Sequence, residues 1–186
     1  MRACAGIAAL ALLAGCGRAP APAPTKPATP AAKTATKAVL ETDGIIFDPP
    51  GGKTAEFMFG IPRDQVERVA TRWFGRPETS ANAECGAGPM EFARYGPLTL
   101  NFADGKFVGW LAEEGPQVVT ADGIAPGKMM RDLKVARAAR MIPGSTLEGE
   151  FEYIAADGKP IGGFVKGAGR DARIVSLYAG TNCFFR

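Results

Sequence analysis

No histidine occurs among the 186 residues, so any chemistry in this chain has to come from carboxylates, lysines or cysteines. That removes Ser-His-Asp and Cys-His nucleophile pairs, His-ligated zinc or iron, and the usual general base near neutral pH. Carboxylates fall in two suggestive groups. Glu113-Glu114 follow an apolar run and precede Gly115-Pro116, while Glu148, Glu150 and Glu152 alternate along a strand-like run. At i, i+2, i+4 those three share one face, able to hold a cation or a basic partner, or simply solvated opposite Phe151 and Tyr153. Gly86-Ala87-Gly88 beside Cys85 looks at first like a dinucleotide loop with a reactive thiol. A phosphate-binding glycine loop follows a strand and opens a helix, whereas this one precedes a strand and is stopped by Pro89. It reads as a turn. No catalytic, cofactor-binding or metal-ligating residue is therefore assigned, and no cofactor is expected.

Four cysteines remain, two of them in a segment with its own meaning. Arg2 precedes Ala3 to Leu13, which hold nothing polar, and small residues follow. That is the order of a secretory signal, with an apolar core too short to span a bilayer. The segment closes on Leu13-Ala14-Gly15-Cys16, which resembles the lipobox of bacterial lipoproteins, whose signal peptide is cut just before a cysteine that becomes lipidated. An ordinary secretory signal with an incidental Cys16 is the other reading. The resemblance covers residues 1–16. It implies a signal peptide over 1–15, a diacylglycerol on the Cys16 sulfur and a third acyl chain on its amine. One chain holds a protein only marginally at roughly 0.8 kcal/mol per buried methylene, and two or three hold it durably. The implied place is the cell envelope, lipid-anchored and facing the periplasm. Gly17, where Asp would favour inner-membrane retention, points to the outer membrane.

Residues 16–38 form the lipidated cysteine and an Ala/Pro/Thr-rich tether. Pro20, Pro22, Pro24, Pro27 and Pro30 exclude a helix and a central strand, and extended polyproline II at about 3.1 Å per residue gives a reach on the order of 60–70 Å. The expected role is a spacer; binding of peptidoglycan or anionic lipid through Arg18, Lys26, Lys33 and Lys37 is the alternative. All 19 acidic residues lie beyond residue 38, with 17 of the 22 basic ones. A near-neutral domain with interspersed signs carries no footprint for nucleic acid.

Cys85 and Cys183 remain as an even pair in an exported, oxidising setting, which reads as a disulfide, with two free thiols as the alternative. Gly44-Ile45-Ile46-Phe47 and Thr54 to Phe59 flank a Pro-Pro-Gly-Gly loop and read as a hairpin. A helix follows Pro62 and ends before Gly75, with Val66, Val69, Ala70 and Trp73 as its apolar stripe. Strands are expected at Met90 to Tyr95, Leu98 to Phe102 and Lys106 to Leu111, the last two joined by Asp104-Gly105. Leu98, Leu100 and Phe102 alternate with Thr99 and Asn101, giving one buried and one wet face. A second helix is expected from about Lys128 to Arg140, with Met129, Met130, Leu133 and Ala136 inward. Strands then follow at Gly149 to Ala155, Ile161 to Val165, Arg173 to Tyr178 and Asn182 to Phe185. Trp73, Trp110, Phe102 and Phe107 fit a first core, and Tyr178, Phe184 and Phe185 a second.

The expected fold is α+β: two tandem helix-plus-antiparallel-meander units, about 39–115 and 116–186, within one folded domain, 39–186. With an Ile-Pro or Ile-Ala-Pro-Gly lead-in to each helix, this order resembles the repeat of β-lactamase-inhibitor-like proteins over about residues 57–186. The small outer-membrane-assembly lipoproteins of SmpA/OmlA type carry a single related unit. The ending Ala-Gly-Thr-Asn-Cys-Phe-Phe-Arg, from Ala179, is similar to that of a family of alphaproteobacterial lipoproteins. Architecture carries over; no contact residues do. The expected function is a non-catalytic binding or structural role in the envelope, offering a β-sheet surface to a protein, peptide or glycan. The alternative is an exported carboxylate-based enzyme or an inhibitor of an envelope enzyme. If Cys16 is the mature, lipidated end, Cys16→Ser leaves an unprocessed or soluble exported species on detergent partitioning. Normal processing with full partition into detergent would exclude lipidation at Cys16.

Overall fold

The computed structural model describes residues 36–136 and 138–184. The signal segment, Cys16, the tether as far as residue 35, and Phe185 lie outside the described residues. The elements run β1 (Lys37–Leu40), β2 (Gly44–Asp48), β3 (Ala55–Met58), α1 (Arg63–Phe74), β4 (Glu78–Asn82), β5 (Met90–Tyr95), β6 (Leu98–Ala103) and β7 (Lys106–Glu113). β8 (Val118–Thr120), α2 (Met130–Ala136), β9 (Ala139–Met141), β10 (Glu150–Ile154), β11 (Pro160–Lys166) and β12 (Arg173–Gly180) follow. Helix and strand are both present and sheet dominates, so the α+β class holds.

Two sheets are built. The larger has the order β4-β5-β6-β7-β12-β11-β10-β9, antiparallel throughout. The smaller has the order β3-β2-β1-β8, in which only β1 and β8 run parallel. β8, beyond the expected border at 115/116, thus pairs with a strand from the start of the domain. Asp104 and Gly105 both take positive φ, as a two-residue hairpin turn between β6 and β7 requires.

The inward face of the larger sheet meets the smaller sheet in a single apolar cluster that joins Leu98, Leu100, Phe102 and Trp110 to Leu40, Ile45 and Phe47. Trp110 is 0% exposed, and its indole Nε1–H donates to the carbonyl of Glu41 at 2.8 Å, just past the end of β1. The α1 helix packs against β5 and β7, with Val66 and Ala70 buried. Arg63 bridges Glu67 at 3.0 Å and Glu91 at 2.8 Å, with its guanidinium 4.8 Å from the Phe102 ring centre.

Several expectations are corrected. The fold begins before residue 39: Lys37 and Ala38 belong to β1, and Ala38 is buried between β2 and β8. An Ala-Val-Leu strand merges compositionally with an Ala-rich tether. Trp73 is 37% exposed under Arg72, and Phe74 takes its place inward, packing on Phe47 and Tyr95. At i, i+4, i+8 from Val66, Phe74 stays on the buried stripe as well as Trp73 does at i+7, and the sheet surface selects it. The second helix spans seven residues rather than thirteen, because Ala139 and Arg140 pair with β10. Met130 and Leu133 are buried as expected; the Ala136 side chain lies outside the described residues. The last strand ends at Gly180, so Asn182 to Phe184 are not strand.

Replacing Trp110 by Phe keeps an aromatic core residue but removes the indole donor to the half-buried Glu41 carbonyl. A loss of roughly 2–4 kcal/mol follows from the lost bond and the residual cavity. Urea unfolding should show a lower midpoint with an unchanged slope.

Candidate functional site

The β1–β2 turn, β3, the loop after β8 and the β10–β11 turn enclose a cleft of about 400 Å³. Its floor is apolar, from Leu40, Met58 and Ile161, and its rim carries Glu41, Asp43, Glu56, Asp122 and Asp157 against one cation, Lys159. The two turns are tied directly: the Thr42 hydroxyl donates to Asp157, and Lys159 pairs with Asp43. The Ala156 N–H also donates to Asp122 at 3.2 Å. Burial first, then the negative field of Glu56, Asp43 and Asp157, pushes the Glu41 carboxyl above its ordinary 4.5. Asp157 is held below its ordinary 3.8, first by the Thr42 hydroxyl and then by the Lys159 backbone N–H. The hydrogen bond to Asp43 raises Lys159. The cleft therefore separates two carboxylates in proton affinity and leaves an excess of negative charge over an apolar floor.

A larger, open groove of about 670 Å³ lies among α2, β9, β11 and β12, lined by Met130, Met141, Phe164 and Val175 together with Glu148 and Lys166. The three alternating glutamates do not act together. Glu148 precedes β10 and is exposed, whereas Glu152 receives the Arg140 Nε–H at 2.8 Å. Glu150 is only 1% exposed and accepts from the Ser145 hydroxyl and the Tyr178 hydroxyl. The expected solvated face is corrected here. Tyr178 reaches Glu150 by lying across β11 at Gly162, where a Cβ would stand 2.2 Å from the ring. The adjacent pair also divides: Glu113 bonds Arg94 at 2.8 Å, and Glu114 bonds Arg173.

Cys85 and Cys183 are joined in a disulfide across 98 residues, with Cα atoms 5.0 Å apart. Gly86 to Pro89 form the expected turn, with the Gly88 N–H donating to the Cys85 carbonyl at 2.8 Å. Asn101, expected on the wet side of β6, is only 2% exposed because Thr181 and Asn182 cover it. Cys16 lies outside the described residues. Among those residues no group of three or more His, Cys, Asp or Glu is placed to hold a metal, and no helix is long and apolar enough to cross a membrane.

Compared with models of protein families, with curated proteins and with solved structures, the chain has no match. The cleft was not foreseen in the sequence. Its signal was two acidic turns, Glu41-Thr42-Asp43-Gly44 and Asp157-Gly158-Lys159, which only the packing of the two sheets brings face to face.

Glu41 supplies a pH test. Its raised value means that its contribution to stability is full below about 4.5 and is lost as pH rises through the folded-state value. At neutral pH the ionised Glu41 is less favourable in the folded domain than in the unfolded chain. Glu41→Gln should therefore stabilise the domain at pH 7, and the gain should shrink to nothing below pH 4.5, as read by melting temperature across pH. A gain independent of pH would contradict the assigned cause.

Proposed function

We propose that the protein is a lipid-anchored, non-catalytic binding module of the cell envelope, held to the membrane at Cys16 and facing the periplasm. The observation that carries the reading is the cleft between the two sheets: five carboxylates and one ammonium around an apolar floor. Among protein, peptide and glycan, the chemistry that suits this cleft is a peptide segment carrying lysine or arginine beside an aliphatic side chain. The charge relieves the field on Glu41, and the aliphatic group covers Leu40, Met58 and Ile161.

The order α1 then β4 to β7, followed by α2 then β9 to β12, supports the finer reading of two helix-plus-meander units joined edge to edge at β7 and β12. It accords with the resemblance to β-lactamase-inhibitor-like repeats, and so with a module whose surface, rather than a catalytic centre, does the work.

A second reading has its own support. A carboxylate with raised proton affinity near one with lowered affinity is the arrangement that general acid–base catalysis uses. Against it, Asp157 is engaged by Thr42, and Asp43 by Lys159, in bonds that hold the two turns together. Turnover of a glycoside that Glu41→Gln abolishes would establish this alternative.

The binding reading is tested by titrating the full-length protein with a short Lys/Leu peptide and with its Glu/Leu counterpart. Only the basic peptide should bind, with affinity falling as salt rises from about 50 to about 300 mM, where the Debye length shortens from roughly 14 to 6 Å. Glu56→Lys, an exposed rim change, should weaken binding about tenfold. Equal binding of both peptides, or indifference to Glu56→Lys, would refute the assignment.

A further inference from the structure

The chain after β12 makes an unusual crossing. At Gly180 it leaves the strand, and Thr181 to Phe184 lie over the outward face of the larger sheet, opposite the core. The Thr181 N–H donates to the Val108 carbonyl at 2.8 Å. Asn101 on β6 donates its amide to the Thr181 carbonyl at 3.0 Å and to the Asn182 side-chain oxygen at 2.7 Å. Gly109 on β7 admits the crossing, since a Cβ there would stand 2.3 Å from the Thr181 carbonyl oxygen. Farther along, the Phe184 ring seats edge-on against Phe164 and Tyr178, with centroids 5.2 and 4.8 Å away. An open groove of about 230 Å³ borders the segment, lined by Phe92, Leu111 and Phe184 together with Thr99 and Asn101.

One covalent tie holds this segment, the bond from Cys183 to Cys85. Cys85 is buried yet stands outside the continuous apolar cluster, and Cys183 is the more exposed partner. The core between the sheets does not depend on either sulfur. We propose that Thr181–Phe184 is a redox-released strap: a dithiol that reduces Cys85–Cys183 frees the segment and uncovers Phe92, Leu111, Phe164 and Tyr178 on the outward face.

The chemistry balances. A thiolate of the dithiol attacks the sulfur of Cys183, the more accessible partner, and expels the Cys85 thiolate, giving a mixed disulfide. The second thiol of the reductant then displaces Cys183. The protein gains two electrons and two protons as two thiols, and the dithiol becomes a disulfide. Afterwards the bonds from Thr181 to Val108, from Asn101 to Thr181 and Asn182, and from Asn82 to the Cys183 sulfur, with the two ring contacts of Phe184, hold a short chain segment. Each hydrogen bond contributes little net against water, and ordering four residues costs about as much as these contacts return, so the strap opens. The outward face then carries half-buried aromatic rings without their cover, while the inward face is unchanged.

Hydrogen exchange read by mass spectrometry on the full-length protein tests this, comparing oxidised protein, protein in dithiothreitol, and the Cys85→Ser/Cys183→Ser double variant. In the last two, the Thr181 amide, which bonds the Val108 carbonyl, should exchange at least tenfold faster than in oxidised protein. Binding of an apolar fluorescent dye should rise, while protection of β6 and β7 and the near-ultraviolet signal of buried Trp110 stay unchanged. Oxidised Asn101→Ala should keep the strap protected, because the disulfide is the latch. Continued protection after reduction would overturn the proposal, as would a strap freed by Asn101→Ala alone. Loss of β6 and β7 protection along with the strap would also overturn it, since the bond would then hold the whole fold. Release without increased dye binding would show that no apolar face is uncovered.

Discussion

The burial of Trp110 is the constraint on which the rest depends. An indole cannot enter a dry interior without an acceptor for its N–H. Here the acceptor is the carbonyl of Glu41, 2.8 Å away, on the first residue after β1. That bond fixes the end of the small sheet over the middle of the large one, because Trp110 lies on β7 and β7 is paired on both sides, with β6 and β12. Once β1 is seated, β2 and β8 follow through its two ladders, and Leu40, Ile45 and Phe47 close on the inward residues of the large sheet.

The same placement creates the cleft. Glu41 gives its carbonyl to the core, so its side chain has to stand at the mouth of the turn, and Thr42 and Asp43 come with it. Across from them, the β10–β11 turn presents Asp157 and Lys159, and two side-chain bonds lock the facing turns. Two of the rim carboxylates thus serve the fold. Glu41 is left partly desolvated beside like charges, a state that a bound cation relieves. The proposed binding role is in this way assigned to a spot where the packing of the sheets leaves a carboxylate partly desolvated beside like charges.

How much of this the residues announce depends on range. Asp104-Gly105 names its own turn, Pro62 and Gly75 bracket their helix, and Leu98-Leu100-Phe102 display a period of two; all are local signals and all are met. The departures are those that only tertiary packing decides. Nothing local separates Trp73 from Phe74 as the inward residue, nor tells an Ala-Val-Leu strand from an Ala-rich tether. Glu150 and Asn101 occupy positions that alternation assigns to solvent, and both are buried because long-range partners cover them: Tyr178 from β12 and the segment after Gly180. The cleft belongs to the same class, since its two turns are more than one hundred residues apart.

Those two buried polar residues also show that the outward face of the large sheet is not an ordinary solvated surface. A polar group removed from water needs a partner, and Asn101 finds its partners in a segment that belongs to neither sheet. Glu150 finds one in Tyr178, whose ring in turn supports Phe184. The cover and the groups beneath it therefore satisfy one another. The hydrogen bonds set where the segment lies, Gly109 gives it room, and the disulfide joins its far end to the turn after β4. A face closed by one exchangeable bond, on a fold whose core lies wholly on the other side, can change its surface without changing its structure.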